Sequence, residues 1–304
     1  MSGKKNFGEE SVRNLFLLNV DKSLSKELSK SFNVIIPESE KNLPDNIDAV
    51  YIEYIPYNSN NPQPFVLQTE TFKFYLKKKI PVVVFDKYLA IKPDEARWLK
   101  KQNVKLLEPA INYRPDFRYL PQFCPKIHSI DTLKLNKVEP RAVTIGFKGI
   151  IFDKLNSFEK YLVEFGKNYP SFSTKYSDSS NISKEKTEEY TNLNVILDKN
   201  LKYSDIKCTV LLGSVRDYTI GYLNPDLFTI LENNVIILLP EEHRYYHALF
   251  SDTVIKELND MVFVAQTYDF VYLGYIANVY HRIDKLYPEF KLEHTVDFIK
   301  KEIE

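Results

Sequence analysis

Glycine is scarce, with 8 in 304 residues. A fold that relies on several Gly-rich phosphate loops has few places to put them. Cysteine is scarcer. Cys124 and Cys208 have no metal-ligand spacing and are expected as free thiols in a reducing compartment. Net charge is absent as well: Lys+Arg and Asp+Glu are 41 each, so only a local patch can argue for a nucleic-acid partner. No segment reaches the roughly 18 apolar residues of a membrane span. The N-terminus, MSGKKNFGEESVRN, lacks the apolar run of a signal peptide. These absences lead us to expect a cytoplasmic protein with no membrane partner.

What is present is ordinary for a chain that buries large cores: 44% hydrophobic and 27% charged residues. The length fits two domains of roughly 150 residues. Aromatics reach 14%, with 21 Tyr and 20 Phe. That abundance suits stacking on bases or sugars and equally suits core filling.

The first half alternates between strand and helix patterns. Apolar runs at 15–20 (LFLLNV), 33–36, 49–55 (AVYIEYI) and 80–85 (IPVVVF) read as buried parallel strands. Helical spacing over 23–31, 65–78 and 93–101 separates them. Prolines then recur at 109, 115, 121, 125 and 140, and periodicity fades, as in a linker or crossing segment. A second series starts at Arg141. Its strands are expected at 142–145, 193–197, 208–212, 235–239 and 261–264, with helices at 157–165, 225–232 and 247–259. Residues 171–186 read as an exposed excursion, and 270–303 as a helical tail broken at Pro288. The expected fold is α/β with two Rossmann-like lobes facing across a cleft. The lobes are expected at 1–135 (acceptor-binding) and 136–280 (nucleotide-sugar-binding), with a C-terminal helix, 281–304, packing back on the N-terminal lobe.

The most informative run is CTVLLGSVRDYTIGYLNPDLFTILENNVIILLPEE. It reads as strand, polar loop, helix, Asn-Asn turn and strand. The loop offers Gly213, Ser214, Arg216, Tyr218, Gly221, Tyr222 and Asn224, and leads to a helix start at Pro225. Free N–H groups at a helix start attract phosphate, and a guanidinium at Arg216 can hold a diphosphate in two-toothed fashion.

This run resembles the donor-binding region of GT-B-type glycosyltransferases. It is most similar to the phage DNA glycosyltransferases, the group of beta-glucosyl and arabinosyl enzymes that act on hydroxymethylcytosine. The matching strand there ends in two acidic residues, which are Glu241 and Glu242 here. The family's helix usually carries Arg and Glu for the nucleotide. Asp226 and Thr229 occupy those places, with Glu232 one turn further on as a substitute. RAVTIGFKGIIFDK resembles the turn that touches the diphosphate, which implies roles for Gly146, Lys148 and Gly149, and more weakly Lys154. IPVVVFDKYLAIKP resembles the strand ending in the catalytic aspartate, which implies Asp86 as the base. The chemistry needs one, because a hydroxyl attacking an anomeric carbon must lose its proton.

Residues 73 to 105 hold ten Lys/Arg against three acids, Asp86, Asp94 and Glu95. Lys77, Lys78, Lys79, Lys87 and Arg97 are expected to contact DNA phosphates, with Trp98 and Tyr88 placed to stack on an extruded base. His243 and His247 would share one helix face, but no third metal ligand accompanies them. A divalent cation is compatible with the chemistry and not required by the sequence.

The resemblance therefore implies transfer of glucose or arabinose from a UDP-sugar to 5-hydroxymethylcytosine in double-stranded phage DNA, in the host cytoplasm. Two alternatives stand beside it. One is a glycosyltransferase acting on a cell-surface polysaccharide or protein. The other is a non-catalytic binding protein on the same scaffold.

Overall fold

The computed structural model describes residues 12–37, 43–59, 61–111, 114–128, 132–133, 140–178, 182–224 and 226–303. It divides into two compact units. Unit 1 comprises residues 1–109, 114–125 and 292–304, and unit 2 comprises 110–113 and 126–291. The proline-rich stretch thus changes unit more than once.

Unit 1 holds a six-stranded sheet made of β1 (Asn14–Leu18), β2 (Asn33–Ile35), β3 (Ala49–Glu53), β4 (Val82–Phe85), β5 (Lys105–Glu108) and β6 (Arg118–Tyr119), in the order β2-β1-β3-β4-β5-β6. Every pairing is parallel. β3 and β4 are buried throughout because helices cover both faces, which explains their unbroken apolar runs. On one face α1 (Lys22–Leu28) and α9 (Leu292–Ile303) pack Leu24, Leu28, Val296 and Ile299 on Leu15, Tyr51 and Val83. On the other, α2 (Gln63–Lys77) and α3 (Pro93–Lys101) pack Phe72, Tyr75 and Leu99 on Val50, Ile52 and Val84. Full burial of each such side chain contributes about 1.5–3 kcal/mol. Glu302 of α9 is buried and held by Lys105 and Arg118, which adds a polar tie.

The described residues of unit 1 contain no glycine. Its left-handed turns are made by Asn19, Lys79, Leu89 and Asn103 instead. Asn tolerates that region; Lys and Leu adopt it at a cost that the surrounding packing offsets.

Unit 2 holds β7 (Val143–Gly149), β8 (Thr174–Asp178), β9 (Val195–Leu197), β10 (Ile206–Val210), β11 (Ile236–Pro240) and β12 (Val254–Ile255), in the order β12-β11-β10-β7-β8-β9. All five pairings are parallel. Counted from β7, this is the 3-2-1-4-5-6 order of a Rossmann sheet, so both units are Rossmann-like α/β layers. Helical segment α4 (155–168) contains a π-helical stretch, Glu159–Val163. It packs Phe158, Tyr161 and Phe165 into the same cluster as Tyr190 of α5 (Lys184–Asn192).

Four sequence expectations change in unit 2. Residues 171–186 supply β8 and the start of α5 rather than an excursion. The supposed loop after β10 contains a helix, α6 (Val215–Ile220), followed by α7 (Leu227–Glu232). MVFV at 261–264 is not a strand but part of the long α8 (Leu258–Leu286), with Met261, Val264, Ala265 and Tyr268 buried at helical spacing. The last strand is the short β12, and the expected helix 247–259 is replaced by a turn and that strand.

Candidate functional site

In open α/β sheets, ligands bind beyond the carboxyl ends of the strands, where strand order reverses. In unit 2 that point lies between β7 and β10. The chain leaving β10 reaches Gly213 and then α6. Ser214 caps α6: its Oγ accepts from Asp217 N, and Asp217 Oδ2 accepts from Ser214 N. Tyr218, one turn on, turns its hydroxyl back toward β10. That hydroxyl accepts from Gly213 N at 2.9 Å and donates to Ser157 Oγ at 3.3 Å. Ser157 Oγ in turn donates to Gly213 O at 2.8 Å. The loops after β7 and β10 are thus tied together at the reversal point.

Beside them is a cavity of about 560 Å³, lined by Val215, Tyr218 and Thr219 of α6 and by Glu242, Arg244 and Tyr245 after β11. Its size is that of a small-molecule site. Glu242 accepts from the Tyr161 hydroxyl at 2.6 Å and pairs with Lys160. Burial alone would raise its pKa, but the Lys160 and Tyr161 hydrogen bonds hold it below the usual carboxylate range. His243, buried beneath this loop, is pushed down to about 4 by burial, against the pull of Asp217. It is therefore a neutral ring against Tyr218 and Tyr246. His247 Nε2 meets Glu241 O instead. Among the described residues no three His, Cys, Asp or Glu side chains group to hold a metal.

The residues singled out from sequence divide sharply in placement. Tyr218 lines the cavity. Arg216 is exposed on α6, outside the lining. Gly146 lies within β7, where an added Cβ would come within 2.6 Å of Ile206, so sheet packing accounts for it. Gly213 is needed because a Cβ would meet the Tyr218 ring at 2.7 Å. Gly149 ends β7 at φ 153, and Lys148 is exposed over the Tyr203 ring. Gly221 ends α6 in the left-handed region, and Tyr222 bridges to Ala110. The Asn224 side chain accepts from Asp226 N, and Glu232 is exposed at the end of α7. Pro225 lies outside the described residues.

The helix that follows Pro225 in the sequence is α7. α6 and α7 have six residues each, too short for much of a dipole, and the Asp217 carboxylate already occupies the α6 start.

Asp86 lies in a buried ion-pair cluster. It follows β4 as expected but is completely buried. Its oxygens accept from Ala90 N (2.7 Å), Ile91 N (2.9 Å) and the Arg114 guanidinium (2.7 Å). Arg114 also binds Glu108, which makes an Asp86–Arg114–Glu108 cluster. A carboxylate so engaged orders the 86–91 turn and has no surface left for a hydroxyl.

The basic belt is dispersed. Lys77 ends α2 and Lys78 and Lys79 follow it, before β4 at the amino edge of the sheet, whereas Lys87 follows β4 at the carboxyl edge. Several members have acidic neighbours: Lys78 with Asp45, Arg97 with Asp94, and Lys100 with Asp116. Trp98 is half exposed on α3.

Three groups were not found from sequence. Arg244 and Tyr245 lay in a run read only for its histidines. Glu53 is the single acid in the apolar run AVYIEYI, and that mismatch was the available signal. It ends β3, 6% exposed, with Lys87 Nζ at 3.9 Å. Burial raises its pKa to about 7, against the opposing charge of Lys87.

No protein-family model and no curated protein matches the chain. Among solved structures it is similar to a mutant O-GlcNAc transferase of Thermobaculum terrenum (TM-score 0.48, 9% identity, 96% of this chain and 67% of that one). It is also similar to the glycotransferase of kitacinnamycin (TM-score 0.46, 11% identity, 96% and 100%). A third is the UDP-forming trehalose-phosphate synthase of Burkholderia vietnamiensis (TM-score 0.43, 8% identity, 84% and 72%). Likenesses of this degree say nothing about substrate; the chemistry rests on the residues themselves.

Proposed function

We propose that the protein is a glycosyltransferase that takes its sugar from a UDP-sugar bound in unit 2. The observation that carries this reading is the cavity at the carboxyl edge of the 3-2-1-4-5-6 sheet, with its complement of one guanidinium, one carboxylate and two tyrosines. Three of them have a counterpart in a nucleoside diphosphate sugar. Arg244 matches the diphosphate, Glu242 the vicinal hydroxyls of a ribose or hexose, and Tyr245 the face of the uracil. Glu242 is kept ionised by Lys160 and Tyr161, so it accepts hydroxyl hydrogen bonds at neutral pH.

The acceptor proposed is 5-hydroxymethylcytosine in duplex DNA, with glucose or arabinose as the sugar. This part rests on the resemblance of the sequence to the phage enzymes, and on the exposed Lys77, Lys79 and Trp98 of unit 1. The test is incubation of hydroxymethylated duplex DNA with a panel of UDP-sugars, followed by mass spectrometry of the nucleosides. A mass gain of one hexose or pentose on hydroxymethylcytosine is expected. UDP release with a polysaccharide acceptor and unchanged nucleosides would move the acceptor to the cell surface.

A further inference from the structure

All strands of the first sheet run the same way, so every helix that leads into one of them ends at the amino edge. α1 ends there before β2, α2 before β4 and α3 before β5. α9 ends there as well, because its Glu302 pairs with Lys105 and Arg118, the first residues of β5 and β6. Each of these four helices carries lysine in its last turn. Lys79 joins them in the turn before β4. Some of these lysines are paired, as Lys78 is with Asp45 and Lys100 with Asp116. Among the described residues, Lys26, Lys77, Lys79, Lys101 and Lys301 are exposed and have no acid at ion-pair distance.

A lysine near a helix C-terminus complements the helix dipole. Unit 2 shows that the dipole does not demand one. Its α5 and α7 lead into β9 and β11 in the same way and have no basic residue in the last turn; α7 ends on Glu232. The lysine of α4, Lys167, is held by Glu164. Lys79 is a second sign. It stands at φ 56, in the left-handed region. Three other helix-to-strand turns place Asn103, Asn194 and Asn234 in that region. Asparagine tolerates it through local hydrogen bonds, whereas lysine takes the backbone cost and supplies a charge.

We propose that the amino edge of unit 1 is a docking face for the phosphate backbone of duplex DNA. The choice of DNA rests on the acceptor named above; the charge of the face does not. Its chemistry selects the partner in three steps. The exposed positions of the three helix-to-strand turns are Ser, Lys, Ser at 29–31, Lys, Lys at 78–79 and Gln, Asn at 102–103, while Phe32 and Val104 are buried. Those positions offer no apolar side chain to enter a lipid layer and no ring to stack on an unpaired base. Neighbouring strands lie about 4.8 Å apart, so the four intervals from β2 to β5 spread the cations over about 19 Å. That span suits a row of phosphates better than a single one. Lysine, a point charge on a flexible stem, meets phosphates at variable positions without reading sequence.

The test titrates the full chain with a long unmodified DNA duplex at a series of salt concentrations, and separately with vesicles of anionic phospholipid. One variant combines Lys77→Gln, Lys79→Gln, Lys101→Gln and Lys301→Gln. A second makes the same charge change on exposed lysines of unit 2, with Lys167→Gln, Lys184→Gln, Lys199→Gln and Lys202→Gln. The wild type is expected to bind the duplex with a steep salt dependence. The first variant should bind more weakly, with the slope of log affinity against log salt shallower by about 3 to 4, since each phosphate contact contributes about 0.9. Its Tm and its UDP binding should match the wild type, and the second variant should keep the wild-type slope. Equal slopes in the wild type and the first variant, or equal losses in both variants, overturn the docking face and leave the glycosyltransferase reading standing. Binding to vesicles in place of duplex overturns it in favour of a membrane surface. A chain that binds duplex through this edge but takes no UDP contradicts the glycosyltransferase reading and leaves the docking face intact.

Discussion

Buried charge separates two kinds of carboxylate in unit 1. Asp86 and Glu108 share Arg114, and the Arg114 guanidinium also donates to Ile91 O and lies against Phe117. Arg114→Ala leaves two buried carboxylates without their cation. We expect a loss of about 3–5 kcal/mol in urea unfolding, the range for breaking one side of a buried ion pair. Asp86→Asn should fall in the same direction and by less, since the amide still accepts from the backbone. Glu53 behaves differently because its folded pKa, about 7, exceeds its ordinary 4.5. Between those values the folded chain binds the proton that the unfolded chain releases. This group's contribution to stability is therefore complete below about pH 4.5 and is lost as pH rises through about 7. Glu53→Gln should flatten that fall in a series of thermal melts. His243 works in the opposite sense: its depressed pKa contributes stability above its ordinary 6.5 that is lost as pH falls through about 4.

At the scale of elements, α6 decides the shape of the candidate donor cavity. Its capping box fixes one end, and Gly221, at φ 68, fixes the other. Gly221→Ala forces a side chain into the left-handed region, a cost of roughly 1–2 kcal/mol. Its Cβ would also stand 3.0 Å from the Tyr245 ring. Weaker UDP binding is therefore expected together with a lower Tm, read by calorimetry and melting. An unchanged affinity would show that Tyr245 does not contact the nucleotide. Strands buried on both faces were readable because nothing but apolar residues suits them: β1, β3, β4 and β11 all stand where the runs predicted. β8 was not readable. Its sequence TKYSD buries only Thr174 and Tyr176 and leaves Lys175 and Ser177 part-exposed, so it looked polar. MVFV in α8 looked like a strand because four apolar residues in a row carry no period of their own. α6 left a trace, since Ser214-x-x-Asp217 is a capping signature, but its six residues are too few for a periodic pattern. The site was partly legible for the same reason. Tyr218 sat in a distinctive run, whereas the burial of Asp86 depends on Arg114, 28 residues away, and no local pattern reveals such a partner.

For the molecule as a whole, the carboxyl edge of unit 2 has the cavity with Arg244, Glu242 and Tyr245, and that of unit 1 has Glu53 with Lys87. The cations that seemed to form one belt are divided between the two edges of the first sheet, so the acceptor rests on fewer groups than the charge count along the sequence suggested. Among the described residues no helix is long and apolar enough to cross a membrane. The central claim is that unit 2 grips a nucleoside diphosphate through Arg244. Titration calorimetry with UDP tests it most directly, comparing the wild-type chain with Arg244→Ala. The account predicts saturable binding by the wild type and an affinity about 10- to 100-fold weaker in the variant, the loss of one charge-assisted contact of about 1.5–3 kcal/mol. Equal binding by both proteins, or no heat from UDP with either, would contradict it.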